Sequence, residues 1–368
     1  MGKILLVGNG LTSNLIPEYN NEKMMTKIKR QAPESFRKAN QFFTPFRKKV
    51  DNTQYAAVTV GFCGDELFCG ESGFDSTITD LSYNNELLDH VEQQLLLKGF
   101  NKSVFDLHFQ TYGLIYETQY DEISNVESLL KIIDLFSTIG LFSSQDKKDI
   151  EKLANHVYFN GGNCGNQSIN DCVKTNLFSW LSTYDKIFTT NYDSLLDDTL
   201  STDQIKHLHG GFYYADKYAR SATIVPPDEA YLIWGISGEE KVQKMRGGFS
   251  FPTVFPFVSP ISVFDKYLSE LKNAKADQID IFGYSGENDQ HINTAISQNT
   301  SIREVHYFCN PTIVHDPAEE FRLRLRFQIE ENKRLVLEPW DIVWNQLYEK
   351  NSAELFCSAA SEQIGVKL

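Results

Sequence analysis

Cysteine is scarce in this sequence, and long apolar runs are absent. Both features exclude certain classes of protein. Six cysteines are spread over 368 residues without a Cys-x-x-Cys pair, which argues against a structural zinc module and predicts free thiols. No apolar run approaches the ~18 residues that a membrane helix needs. The apolar core at residues 4–7 is too short for a signal peptide. We therefore predict a cytoplasmic protein without a membrane partner.

Positive charge is also scarce, with one exception. The chain has 35 Lys and Arg against 49 Asp and Glu, for a net charge of −14, which argues against general coating of nucleic acid. Residues 20–50 reverse this balance with nine Lys or Arg against two Glu. Such a basic segment is able to dock a nucleic-acid-bearing or otherwise acidic partner, but its pattern favours a solvated helix face.

The apolar content, at 41% of residues, is enough for a packed core throughout. A short buried strand is predicted at residues 3–7, followed by a Gly-Asn-Gly turn into a helix. Helical periodicity dominates from about residue 84 to 183. Strand patterns then return in four segments, and a helical stretch between the last two predicts a βαβ unit. These segments are "KIFTTN", "IKHLHG", "QIDIFGYSG" and "REVHYFCN".

These patterns predict an α/β protein with a Rossmann-like parallel sheet. The sheet is assigned to residues 1–20 together with 184–315. Residues 21–183 are predicted to form a large, mostly helical insertion, and residues 316–368 a tail of C-terminal helices. In open α/β sheets, ligands bind at the carboxyl ends of the strands, and each motif described below lies at such an end.

The first motif, "VGNGLTSN", follows the N-terminal strand. Gly8 and Gly10 allow backbone N–H groups to approach a pyrophosphate at the N-terminus of the next helix. We include Asn9 and Thr12 in this predicted dinucleotide-binding turn. Ser13 stands where a third glycine would complete the usual fingerprint, so a plain strand-to-helix turn is the alternative.

Two further motifs, "TTNYD" and "HLHGG", supply the candidate catalytic residues. Asn191 and Asp193 are two residues apart and face the same way in an extended ending, and Thr190 beside them is a candidate ligand contact. Asp193 capping the next helix is the alternative. His209, at the mouth of a strand, suits a general base. His207 and His209 lack a nearby third ligand, so we predict no metal site.

The last motif, "FGYSGEND", suits a turn that binds ribose or phosphate. Gly283 and Ser285 follow an apolar strand, and Asn288 or Asp289 would cap the next helix. Asn310, at the end of the following strand, completes the predicted cofactor-binding set.

The order of these motifs resembles that of the sirtuin family. In sirtuins, a Gly-rich first turn holds the dinucleotide, Asn-x-Asp contacts the nicotinamide ribose, a His before Gly is the catalytic base, and Gly-x-Ser holds the adenosine ribose. The matching positions here are Gly8 and Gly10, Asn191 and Asp193, His209 and Gly210, and Gly283 and Ser285. The segment "IPEY" also echoes a family motif, although Asn20 replaces its arginine.

One departure separates the chain from deacylating sirtuins, which carry a four-Cys zinc module after the catalytic His. No cysteine lies between His209 and Cys309. With its helical insertion, the chain looks more like the sirtuin-like effector domains of bacterial antiphage systems, which neighbour the AbiH-type abortive-infection proteins. The resemblance covers residues 1–20 and about 184–310.

The resemblance implies an NAD+ glycohydrolase that uses NAD as substrate and acts in abortive infection. It implies an activity that stays low until a partner subunit, oligomerisation or a phage component triggers it. Two alternatives remain open at this stage. One is a module that binds NAD or an ADP-ribose derivative without turnover, and the other is an ADP-ribosyltransferase.

Overall fold

The fold is described by a computed structural model of the chain. The described residues are 2–37, 39, 93, 97, 126, 127, 129, 130, 133, 142–166, 169–200, 204–215, 222–224, 232, 241, 260–286 and 289–349. The predicted helices and loops between residues 40 and 141 therefore lie almost wholly outside the described residues.

A six-stranded, all-parallel sheet forms the centre of the described structure. Its order is β3-β2-β1-β6-β7-β8, which is 3-2-1-4-5-6 when only the strands of this sheet are counted. That order is the Rossmann-like arrangement, so the predicted fold class is confirmed. The strands are β1 (Lys3–Val7), β2 (Lys186–Thr189), β3 (Ile205–His207), β6 (Gln278–Phe282), β7 (Glu304–Cys309) and β8 (Arg334–Pro339).

Helices cover both faces of the sheet because the central strands are apolar on both sides. Leu5 and Val7 of β1 belong to one buried cluster, whereas Ile4 and Leu6 belong to the other. The helices are α1 (Asn9–Leu15), α2 (Asn21–Gln31), α3 (Ser144–Asn166), α4 (Asp171–Leu181), α5 (Leu195–Leu200), α6 (Pro260–Lys272), α7 (Gln290–Gln298), α8 (Pro317–Arg326) and α9 (Asp341–Tyr348).

The strand order places the two halves of the chain on opposite sides of β1. The chain runs from β1 through β2 to β3 on one side, and then crosses to β6, β7 and β8 on the other. Strand β1 pairs in parallel with both β2 and β6. The turns after β1 and β6 therefore meet at the switch point, where Rossmann-like sheets bind their ligands.

Helices occupy the described parts of the predicted insertion. Helices α2, α3 and α4 lie within residues 21–183, and the four strand-bearing segments named above contain β2, β3, β6 and β7. The βαβ unit is also present, since α7 connects β6 to the parallel strand β7.

The C-terminal tail differs from the prediction of helices alone. Strand β8 lies between α8 and α9 and pairs in parallel with β7 along its whole length. Its short apolar run, Leu335 to Leu337, suits a helix or a strand equally well, and only pairing with β7 decides between them. Helix α6 and the antiparallel hairpin of β4 (Tyr213–Ala215) and β5 (Ala222–Ile224) were also not predicted.

The basic segment is described up to residue 37 and at residue 39, and several of its cations are paired there. Lys23 and Lys27 both contact the carboxylate of Glu18, and Arg37 contacts that of Glu34. These pairs favour the solvated helix face over a free cationic surface. Among the described helices, none is long and apolar enough to cross a membrane.

Candidate functional site

Three glycines bring the turns after β1 and β6 into direct contact. A Cβ atom on Gly8 would lie 2.4 Å from the Gly283 carbonyl oxygen, and one on Gly10 would lie 2.7 Å from the Gly283 Cα. Gly283 has a φ of 66°, which favours glycine. The Gly8 and Gly10 N–H groups donate to the carbonyls of Phe282 and Gly283. The two amides expected to face a pyrophosphate are therefore engaged within the protein.

Asn191 lies just beyond the end of β2. Its side-chain nitrogen makes a hydrogen bond, whereas its side-chain oxygen has no partner. Its Nδ2 donates to the Thr12 hydroxyl at 2.9 Å, and its backbone N–H donates to the Thr189 hydroxyl. The Oδ1 atom is buried without a hydrogen-bond partner. Thr12 thus connects α1 to the Asn-x-Asp segment and leaves one acceptor of Asn191 available to a ligand.

Asp193 both caps a helix and carries an unpartnered oxygen. Its Oδ1 accepts from the Leu195 N–H at the start of α5, so the helix-capping alternative is confirmed. Its Oδ2 is buried and has no partner. Burial raises the pKa of Asp193 to about 6, against opposing hydrogen bonds from the Leu195 N–H and the Thr12 side chain. Burial therefore destabilises the ionised carboxylate, and a ligand that donates a hydrogen bond to it would stabilise it.

Two more unpartnered oxygens belong to residues near the start of the chain. Asn9 lies three residues before Thr12, which places both on one face of α1, and its Oδ1 is buried without a partner. The hydroxyl of Tyr19 is likewise buried and unpartnered. The Tyr19 ring packs edge-on against Tyr158 of α3, and Tyr158 packs against Tyr192. The insertion thus supplies part of the aromatic wall beside Asp193.

His207 contacts the backbone of Asn191 and so stabilises its position. Its Nδ1 lies 2.8 Å from the Asn191 carbonyl oxygen, and its Nε2 lies 2.8 Å from Asp197 Oδ2. Both partners only accept hydrogen bonds, so both ring nitrogens carry hydrogen. Burial alone would lower the pKa of His207, but the Asp197 carboxylate raises it to about 8. The protonated His207 side chain therefore holds the Asn191 backbone in place by a hydrogen bond, and we call it the clamp behind Asn191.

His209 has left strand β3, and its ring meets residues from the other half of the sheet. Its Nε2 lies 3.1 Å from Nε2 of His291 and 3.5 Å from Oδ1 of Asp289. Burial lowers the pKa of His209 well below its ordinary value and that of His291 to about 4. Both imidazoles are therefore neutral at pH 7. His207 and His209, two residues apart in the sequence, consequently have different partners.

A buried ammonium group completes this second cluster. Lys241 Nζ lies 2.8 Å from Asp289 Oδ1 and 3.3 Å from Glu127 Oε1. Burial would lower the pKa of Lys241, but the two carboxylates raise it above its ordinary value. Burial would also raise the pKa of Asp289, and Lys241 and the histidines lower it instead. Asp289 is thus ionised at neutral pH.

The other predicted contacts are less closely involved. Thr190 is partly buried, and its N–H donates to the Val7 carbonyl. Ser285 is exposed in the turn after β6. Asn310 is exposed, and its Oδ1 caps the short helical turn that follows β7. The structure brings Thr12, Asn191 and Asp193 together, whereas the Asn310 side chain makes its hydrogen bond within the turn that follows β7.

Several members of the site were missed at the level of sequence. A signal existed for Asp289 and His291, because both closely follow the glycine-rich turn after β6 in "GENDQH". That pattern was interpreted only as helix capping, and the Asp289 side chain makes no capping hydrogen bond to α7. Glu127 and Lys241 stand in no comparable motif.

In comparisons with known proteins, no protein-family model and no curated protein matches this sequence. The fold and the geometry of the site therefore carry the functional argument.

Proposed function

We propose that this protein is an NAD+ glycohydrolase, which splits NAD+ into nicotinamide and ADP-ribose. The observation that carries the proposal is the set of unpartnered acceptors beside the switch point of the sheet. The Oδ1 atoms of Asn9 and Asn191 and the Oδ2 atom of Asp193 are buried without hydrogen-bond partners. Each such group costs about 1–3 kcal/mol until a donor reaches it.

The chemistry of these acceptors favours a ribose over a phosphate. The two hydroxyls of a ribose diol donate hydrogen bonds, whereas a phosphate offers only acceptors and negative charge. The Asp193 carboxylate would repel a phosphate at contact distance. A Rossmann-like sheet with a glycine turn at its first strand also suits a dinucleotide. NAD+ carries a ribose directly at its cleavable bond.

The proposed reaction breaks the bond between the ribose C1′ atom and the nicotinamide nitrogen. The electron pair leaves with nicotinamide, which departs as a neutral molecule, and positive charge develops on the ribose. Asp193 holds the ribose hydroxyls and offsets this charge. Asn191 orients a ribose hydroxyl or the attacking water. The water oxygen bonds to C1′, and its proton passes to His209 acting as base.

The position of His209 supports a low activity in the resting state. Its Nε2 atom faces His291 rather than a free space, and the ring is buried at 2% exposure. For that nitrogen to accept a proton from water, the contact between His209 and His291 must open. A partner subunit, self-association or a phage component would supply that change. This role in antiphage defence rests on the sirtuin-like order of motifs.

The two alternatives use the same acceptors and differ only in the fate of the ligand. A binding module would hold NAD or an ADP-ribose derivative intact. An ADP-ribosyltransferase would release nicotinamide but pass the ADP-ribose to an acceptor other than water. Product analysis therefore separates all three.

The test is to incubate the purified full chain with NAD+ and resolve the products by chromatography. We expect nicotinamide and free ADP-ribose in equal amounts. Asn191→Ala removes an acceptor of the ribose, and we expect turnover to fall by roughly 100-fold or more. The matched control is Asn332→Ala, since Asn332 is exposed in the turn before β8. We expect this control to retain the wild-type rate.

The binding constant decides the case in which NAD+ stays intact. Tight binding by the wild type that is lost in Asn191→Ala would place the ligand at these acceptors, in either a resting hydrolase that needs its trigger or the binding module. ADP-ribose attached to protein would indicate the transferase. If the wild type neither cleaves nor binds NAD+, the proposal is wrong.

A further inference from the structure

The contact between the two halves of the sheet at His209 has the geometry of a metal site. The ligand atoms of His209, Asp289 and His291 all lie within 4.8 Å of one another. Two of the separations are 3.1 and 3.5 Å. A tetrahedral zinc ion with bonds of about 2.0–2.1 Å holds its ligand atoms roughly 3.3–3.4 Å apart. Two of the three separations are therefore already close to the spacing that such an ion needs.

The two imidazoles point their Nε2 atoms at each other, which is unusual for histidines that only fill space. Only one hydrogen fits between two nitrogens 3.1 Å apart, so one lone pair must face the other ring. A cation placed between the rings would satisfy both lone pairs at once. Two imidazole nitrogens and a carboxylate oxygen are ligands typical of zinc and its neighbours in the first transition row.

The net charge of the cluster also favours the binding of a cation. Asp289 and Glu127 bring two negative charges, and Lys241 brings one positive charge. The described cluster is therefore left with one negative charge. Lys241 competes for Asp289 Oδ1, but the same ammonium also reaches Glu127 and remains paired if it shifts toward that residue.

We propose that His209, Asp289 and His291 bind one divalent transition-metal ion of the zinc class, with an open fourth position. His209 follows β3, whereas Asp289 and His291 stand at the start of α7 after β6. The ion therefore links the two halves of the sheet on either side of β1. It also occupies the Nε2 atom of His209.

This second consequence rests on the proposed function, although metal binding itself does not. If His209 is the base in NAD+ cleavage, a bound ion blocks it. Zinc is therefore an inhibitor of the cleavage reaction and holds the site in its resting form.

The test is a titration of the chelator-treated full chain with Co²⁺, followed by visible absorption. We expect one equivalent to bind with the intense bands of a tetrahedral site and to be displaced by Zn²⁺. His291→Gln keeps a polar side chain at that position but lacks the imidazole, and Asp289→Asn lacks the charge. Each change should weaken binding by roughly 10- to 100-fold or more. Lys241→Gln removes the competing ammonium and should strengthen it.

The matched control is His315→Ala, which removes an exposed histidine outside the cluster and should bind Co²⁺ as the wild type does. Circular dichroism confirms that each variant is folded. Failure of both the wild type and Lys241→Gln to bind one equivalent overturns the proposal, as does equal affinity in folded His291→Gln. NAD+ cleavage provides a separate readout. Zinc should inhibit the wild type but not His291→Gln, whereas a chain that never cleaves NAD+ is still judged by its Co²⁺ spectrum.

Discussion

Two buried asparagines, one on each side of β1, have opposite hydrogen-bonding states. Asn293 of α7 is completely buried, and its side chain is fully used. Its Nδ2 donates to the carbonyls of Gly286 and Arg326, and its Oδ1 accepts from the Tyr284 hydroxyl. Asn191 is buried to a similar degree, but its Oδ1 has no partner.

Under the proposed function, this difference separates a residue that stabilises the fold from one that binds the ligand. A protein gains stability when a buried amide has all its partners, and it loses stability when one is missing. Asn293 joins the turn after β6 to the end of α8, which is a structural task. Asn191 and Asp193 leave acceptors unused next to the switch point, where a ligand is expected to bind. The proposed function therefore assigns the ligand to the β1–β2 side of the sheet.

Truncation of both asparagines is the strongest test of whether they contribute differently to stability. Asn293→Ala removes the amide donor to two carbonyls and leaves the Tyr284 hydroxyl with only its 3.4 Å contact to the Asp289 carbonyl, so we expect the free energy of unfolding to fall by about 3–5 kcal/mol. Asn191→Ala loses one hydrogen bond but also removes an unpartnered oxygen, so we expect a change within about 1 kcal/mol. Urea denaturation measures both values. Equal destabilisation by the two variants would contradict the division into structural and ligand-binding sides.

Asp193→Asn tests the cost of keeping the Asp193 carboxylate buried. Its pKa of about 6 in the folded chain exceeds the ordinary 3.8, so its contribution to stability is complete below pH 4 and is lost as pH rises through 6. Asparagine cannot undergo this loss. We expect the variant to gain about 3 kcal/mol over the wild type at pH 7.5 and little at pH 4.

Denaturation at both pH values checks this expectation, with exposed Asp171→Asn as the matched control. Ligand affinity provides a second readout. Ribose hydroxyls donate to the ionised form, so NAD+ affinity of the wild type should rise as pH increases through 6. A wild-type affinity that does not change with pH would argue against a ribose at Asp193.

His207→Gln has the smallest expected effect and tests the clamp behind Asn191. The pKa of His207 is about 8 in the folded chain against 6.5 ordinarily. Its stabilisation is therefore complete below pH 6.5 and is lost as pH rises through 8. We expect the variant to lose about 2 kcal/mol at pH 6 and much less at pH 9. Thermal or urea unfolding across this range measures the difference, with exposed His315→Gln as the matched control.

The elements predicted most accurately are those with strong local signals. The bounds of β1 were predicted correctly because four apolar residues end abruptly at a glycine turn. The helices α3 and α4 show clear helical periodicity and were also predicted. Strand β8 was missed because its apolar run is short and lies between charged helices. Its parallel pairing with β7, which places Leu335 opposite Val305, is a long-range contact that no local pattern contains.

The same division applies to the candidate site. The sequence by itself placed Asn191, Asp193 and His209 directly after apolar strands, because turn chemistry and strand composition are local properties of the chain. Only the tertiary structure decided which side chains contact one another. It joined Asn191 to Thr12 across 179 residues and His209 to His291 across 82. Such contacts depend on the order of the strands in the sheet, which brings distant turns to one edge.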